Sequence, residues 1–228
     1  MTSAPEPMDE AVEAVEEGDV QTLKRLLVAD PSLATARPDD ARTLLHVATD
    51  WPGHRPHVAE TIALLVESGA DVNARFVGYH AETPLHWAAS NDDVTAIDAL
   101  LDAGADIDAR GAVIADGTPL SDAVAFAQWR AARRLVERGA HVVPRHAAAL
   151  GMADKVTVAD QDELDLCFWY ACHGGQRGVA EDLLARGANL DWLPPWECRT
   201  PLDAATRHGF TDLAAWLRTQ GAHSATRF

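Results

Sequence analysis

Cysteine is scarce: Cys167, Cys172 and Cys198 are the only three in 228 residues. An odd, sparse set argues against the disulfide framework of a secreted domain and for a reducing cytoplasm. No apolar run approaches the roughly 18 to 20 consecutive residues of a membrane span. The stretch Met1–Pro7 lacks the basic region and apolar segment of a signal peptide. Positive charge is also short, with 19 Lys and Arg against 35 Asp and Glu, a net charge of −16. That balance disfavours nucleic acid and anionic membranes and favours a neutral or basic protein surface as partner. No G-x-S-x-G, Gly-rich phosphate loop or H-E-x-x-H occurs, so no catalytic residue is assigned. Cys167, Cys172, His173 and Cys198 form the only Cys/His grouping, and without a C-x-x-C pair it does not fit a structural zinc site. The reading therefore assigns no metal and no cofactor, and leaves this grouping as the sole basis for a metal-binding or enzymatic alternative.

What is present is repetition. Residues Thr83–Ala109 combine T-P-L-H-W-A-A, a polar break at Asn91–Asp93, V-T-A-I-D-A-L-L, and G-A-D-I-D-A. Thr83 is a good N-cap and Pro84 suits the first turn of a helix. Asp92 and Asp93 suit the start of a second helix, on which Val94, Ile97, Leu100 and Leu101 form one apolar stripe. Gly104 supplies the left-handed residue that stops it. The unit is a helix, a tight turn, a second helix and an exit loop. It cannot bury both apolar faces alone, and its opening words return at Thr43, Thr118 and Thr200, its closing words at Gly69, Gly139 and Gly187.

This pattern resembles the ankyrin repeat family, whose signature is T-P-L-H-x-A with a G-A-D-x-N close. The resemblance implies an all-α ankyrin repeat solenoid of stacked helix-turn-helix units with hairpin loops. About seven units are expected over residues 8–222, starting near 9, 43, 83, 118, 142, 166 and 200, between tails at 1–7 and 223–228. The shortened spacing after 118 marks a strongly degenerate fifth repeat, with Asp154–Val158 too short for a full second helix. At the fourth position of the opening motif, His46 and His86 are read as tying adjacent repeats together through backbone hydrogen bonds. Glu10, Glu13, Glu16 and Glu17 give the first repeat the acidic outer face of a cap. The cluster Arg130, Arg133, Arg134 and Arg138 is read as pairing with nearby carboxylates.

The family resemblance also implies a non-enzymatic protein-binding module, which the cysteine usage makes cytoplasmic. In such a module the fifth position of each opening motif lines a concave groove, here Glu13, Val47, Trp87, Asp122, His146, Tyr170 and Ala204. Trp87 and Tyr170 are the large aromatics in that row. Around them stand Phe76, Tyr79, Trp192 and Trp196 on loop tips, together with Trp51 and Arg55 in an insertion at Asp50–His57. The expected partner-binding set is thus Trp51, Arg55, Phe76, Tyr79, Trp87, Asp122, His146, Tyr170, Trp192 and Trp196. Each aromatic has the alternative of packing between irregular repeats. A monomer with a protein partner is preferred to a self-associating chain.

Overall fold

A computed structural model describes residues 6–225. Every regular element among them is a helix, and all the α-helices but α9 form consecutive pairs. The chain divides into two compact units, Met1–Ala140 and His141–Phe228. The first contains α1 (Pro7–Glu17), α2 (Val20–Ala29), α3 (Leu44–Thr49), α4 (Val58–Glu67), α5 (Pro84–Ser90), α6 (Val94–Asp102), α7 (Pro119–Ala125) and α8 (Trp129–Glu137). The second contains α9 (Pro144–Leu150), α10 (Gln161–His173), α11 (Arg177–Ala185), α12 (Pro201–Arg207) and α13 (Thr211–Thr219).

The recurring Thr-x-Leu word sets both the start of a helix and its link to the next repeat. Thr83 N–H donates to His86 Nδ1 at 3.1 Å, and Thr43 N–H donates to His46 Nδ1 at 3.2 Å. With Nδ1 accepting, Nε2 carries the proton and donates onward: His46 to the Glu82 carbonyl at 3.2 Å, His86 to the Gly117 carbonyl at 3.4 Å. One imidazole thereby closes its own helix start and holds the loop of the following repeat, as the motif implies. Where Ser121 and Asp203 replace histidine, the capping box survives but the ring that bridges repeats is absent. His86→Ala is expected to cost about 2–3 kcal/mol, because it strands a buried donor and a buried acceptor together; denaturant unfolding checks this. Burial holds His46 and His86 down to about 4 from 6.5. A depressed histidine stabilises the fold above its ordinary range, so this contribution falls as pH drops from about 6.5 through about 4.

Leu23, Leu65, Leu85, Ile97, Leu100, Leu120 and Leu135 are fully buried and fill the layers between the helix pairs of the first unit. Asp93 caps α6 by accepting Ala96 N–H at 3.0 Å, and Gly104 takes a left-handed φ of 93° just beyond the helix. Two arginines at the end of α8 pair within the fold: Arg134 and the C-cap Arg138 both reach Asp98, at 2.8 and 2.7 Å, and Arg138 also reaches Asp102 at 2.6 Å.

In the second unit the fifth repeat keeps α9, but a single 3-10 turn, Ala153–Lys155, stands where a second helix would lie. The next first helix starts ahead of the unit boundary expected near 166, on the acidic run Asp160–Asp165. α10 begins at Gln161, because the Asp160 carboxylate accepts Glu163 N–H at 2.9 Å and nucleates the helix five residues earlier. The expected tails also contract. Residues 1–5 and 226–228 lie outside the described residues, but Pro7 opens α1. His223 N–H donates to Asp191 at 2.7 Å, and Ala225 N–H donates to Asp203 at 2.8 Å.

Candidate functional site

In the first unit the insertion Asp50–His57 is tied to the turns on either side of it. His54 N–H donates to Asp93 Oδ2 at 2.6 Å, and His54 Nε2 lies 3.1 Å from the Asn91 carbonyl. Pro56 presses on Gly18 so closely that a Cβ there would sit 2.2 Å from the Pro56 carbonyl oxygen. Arg55 is used internally, with its guanidinium 3.5 Å from Glu16, which corrects the expectation that it faces a partner. Trp51 is left free by this anchoring and is 79% exposed.

The loop Phe76–His80 divides in the same way. The Phe76 ring stacks on His80 at 4.9 Å and packs against Trp87 at 5.6 Å, so it braces the loop. Tyr79, three residues on, is fully exposed, as is much of Val77 beside it.

Trp87 lies edge-on to His46 at 4.9 Å and is half-buried. Its Nε1–H donates to Glu82 Oε2 at 2.8 Å. Glu82 is itself buried, and its other oxygen accepts Val113 N–H at 3.1 Å. The carboxylate thus joins the first helix of one repeat to the exit loop that follows. Beside these groups is an open cleft of about 360 Å³, walled by Trp51, Trp87, Val113 and Phe126 with Asp50 and Glu82 among its polar lining.

Asp122 is one helical turn before Phe126, on the same face of α7. It is 1% exposed, and neither carboxylate oxygen has a hydrogen-bond partner. Burial, and secondarily the charge of Glu82, push its carboxyl up to about 8. The side chain is therefore largely protonated at neutral pH. Its burial corrects the expectation of an open row at the fifth motif position. Val47, Asp122, His146, Tyr170 and Ala204 are all buried. Trp87 is half-buried and Glu13, at the first repeat, is exposed.

In the second unit the aromatics mostly face one another. Trp169 Nε1–H donates to the Arg199 carbonyl at 2.9 Å, and its ring stacks on His173 at 5.1 Å. Tyr170 lies edge-on to Trp169 at 5.2 Å, so both rings pack rather than present surface. Trp192 is half-buried against Trp196, while Trp196 and Leu193 are about half exposed at the loop tip. Cys167 and Cys172 are buried and Cys198 is exposed. Burial raises both inner thiols, Cys167 to about 11, which keeps them protonated. Among the described residues no group of three or more His, Cys, Asp or Glu is placed to hold a metal ion. No helix among them is long and apolar enough to cross a membrane.

The motif reading missed Glu82, Val113 and Phe126. The signal for Phe126 was an aromatic at the turn after a first helix, where the template repeat has Asn91.

A fold of paired short helices, four pairs of which are opened by a capping Thr (Thr43, Thr83, Thr118, Thr200) and followed by a left-handed glycine (Gly69, Gly104, Gly139, Gly221), defines a helical repeat protein. Residues 11–111 match the family described as ankyrin repeats (3 copies). That stretch is similar to ankyrin repeats, and the paired helices beyond it share the fold. The fold is similar to that of the human ASB11 ankyrin repeat domain, with a TM-score of 0.53 and 24% identity over 93% of this chain and 84% of that one. No curated protein matches the chain in sequence.

Proposed function

We propose that this chain is a non-enzymatic protein-interaction module that engages a partner through the first unit, at the face formed by Trp51, Val77, Tyr79, Trp87, Val113 and Phe126. Ankyrin repeats typically serve protein–protein interaction. The observation that carries the assignment to this face is the distribution of exposed apolar side chains. Of the eight large ones among the described residues, Trp51, Val77, Tyr79, Val113 and Phe126 all belong to the insertion, exit loops and turn of the first unit. Exposed aromatic surface concentrated in this way is the usual ground of an interaction hot spot. The net charge of −16 favours a neutral or basic partner and disfavours nucleic acid and membranes.

Selection of a displayed random-peptide library on the intact chain tests the reading. Enriched peptides are expected to bind the Trp51→Ala, Phe126→Ala double variant about tenfold or more weakly. Both side chains are largely outside the core, so folding is expected to be unchanged by circular dichroism. Equal binding to wild type and variant would remove the first unit's face from consideration. Exposure of Leu193 and Trp196 supports a second reading, in which the 192–198 loop contacts the partner. That version predicts loss of binding in Trp196→Ala alone. Sedimentation equilibrium is expected to give a monomer; a concentration-dependent dimer would move the proposal to self-association.

A further inference from the structure

The cleft in the first unit combines two features that an apolar docking groove does not require. Its aromatic walls, Trp51, Trp87 and Phe126, stand beside the Glu82 carboxylate. Asp122 is buried one turn before Phe126, electrostatically coupled to Glu82 and without any hydrogen-bond partner. An uncompensated buried carboxyl disfavours folding, whereas an alanine at this motif position, as at Ala204, packs without that cost. A cation brought beside Glu82 would offset the repulsion between the two acids and favour ionised Asp122. The chain's excess of acids attracts such a cation.

Resting on the reading of this face as the partner site, we infer that the cleft receives an arginine side chain of the partner, its guanidinium stacked on the indole and phenyl walls and its charge met by Glu82 with Asp122 behind it. Guanidinium suits the site better than ammonium because it is planar, stacks on aromatic rings and is more weakly hydrated. The occupant is therefore a polypeptide segment carrying arginine next to apolar residues, the latter covering Val113 and Tyr79.

The test uses the full-length chain, with acetyl-Leu-Arg-Leu amide and its citrulline counterpart as probes. Citrulline keeps the planar shape and removes the charge. The reporter is the Trp87 indole N–H resonance, whose proton is donated to Glu82. The arginine peptide is expected to shift that resonance saturably and to bind at least tenfold more tightly than the citrulline peptide. Phe126→Ala, altered at an exposed wall, is expected to weaken binding several-fold. Asp122→Asn is expected to weaken arginine binding threefold or more while the protein becomes more stable, a combination that a purely structural role for Asp122 would not produce. Equal shifts with both peptides, or unchanged affinity in Asp122→Asn, would overturn the inference. If arginine-free library peptides bind and are lost in the Trp51→Ala, Phe126→Ala variant, the interaction face stands and the arginine assignment fails. If no peptide of either kind depends on these residues, both fall.

Discussion

Asp122→Asn is expected to stabilise the first unit by about 2–4 kcal/mol at pH 7, although it replaces a residue with a near-identical one. The carboxyl titrates near 3.8 when exposed and is pushed up to about 8 in the fold, by burial first and by Glu82 second. Between those values the unfolded chain has released the proton while the folded chain still holds it. Stability contributed by the protonated form is thus full below about pH 4 and is lost as pH rises towards 8, above which both states are ionised and the loss levels off. Asparagine has the same shape and no proton to hold, so the variant's gain should be small at pH 4 and large at pH 7 to 9. Denaturant unfolding at these three values checks it. A destabilised variant, or a gain independent of pH, would contradict this account of Asp122.

The second large effect is expected at Gly174, just past the C-terminus of α10. A Cβ there would lie 2.0 Å from the carbonyl oxygen of Ala149 in α9, with two further Ala149 backbone atoms within 3 Å. Backbone cannot yield as the end of a flexible side chain can, so α9 and α10 would have to separate. Gly174→Ala is expected to cost about 3 kcal/mol or more and to weaken the second unit selectively. The control is Gly178→Ala in α11, where the added methyl meets nothing within 4 Å and φ is not left-handed. There alanine is expected to stabilise by about 0.5–1 kcal/mol. Thermal unfolding of the two variants should move in opposite directions. The same sign for both would show that close approach between helices does not set the requirement for glycine.

The helix pairs were legible because their signals are local. Thr83, Pro84 and Asp93 act within one turn of themselves, and the Leu and Ile stripes need only the 3.6-residue period. The bridging role of His46 and His86 was legible because the motif puts the ring at N3 of a capped helix, where only one nitrogen is used locally. The shortened spacing around Gly139–Cys167 likewise exposed the missing second helix of the fifth repeat. The start of α10 was legible as well, since the run of acids at Asp160–Asp165 suits the positive N-terminus of a helix. The candidate site was harder. Whether Tyr170 or Trp51 is exposed depends on which neighbouring rings and turns pack over it, and no period within a single repeat records that. Asp122 carried no warning at all: a carboxylate on a short helix is ordinarily solvated, and only the stacked repeats reveal that both its oxygens are enclosed.

Hydrogen–deuterium exchange of the intact chain, with and without a library-selected peptide, tests most directly whether the first unit's face is the partner site. The account predicts slowed exchange in residues 76–91 and 111–116 and around Phe126, with the second unit unchanged. Protection confined to residues 192–198, or spread over the outer helices α4 and α6 instead, would contradict it.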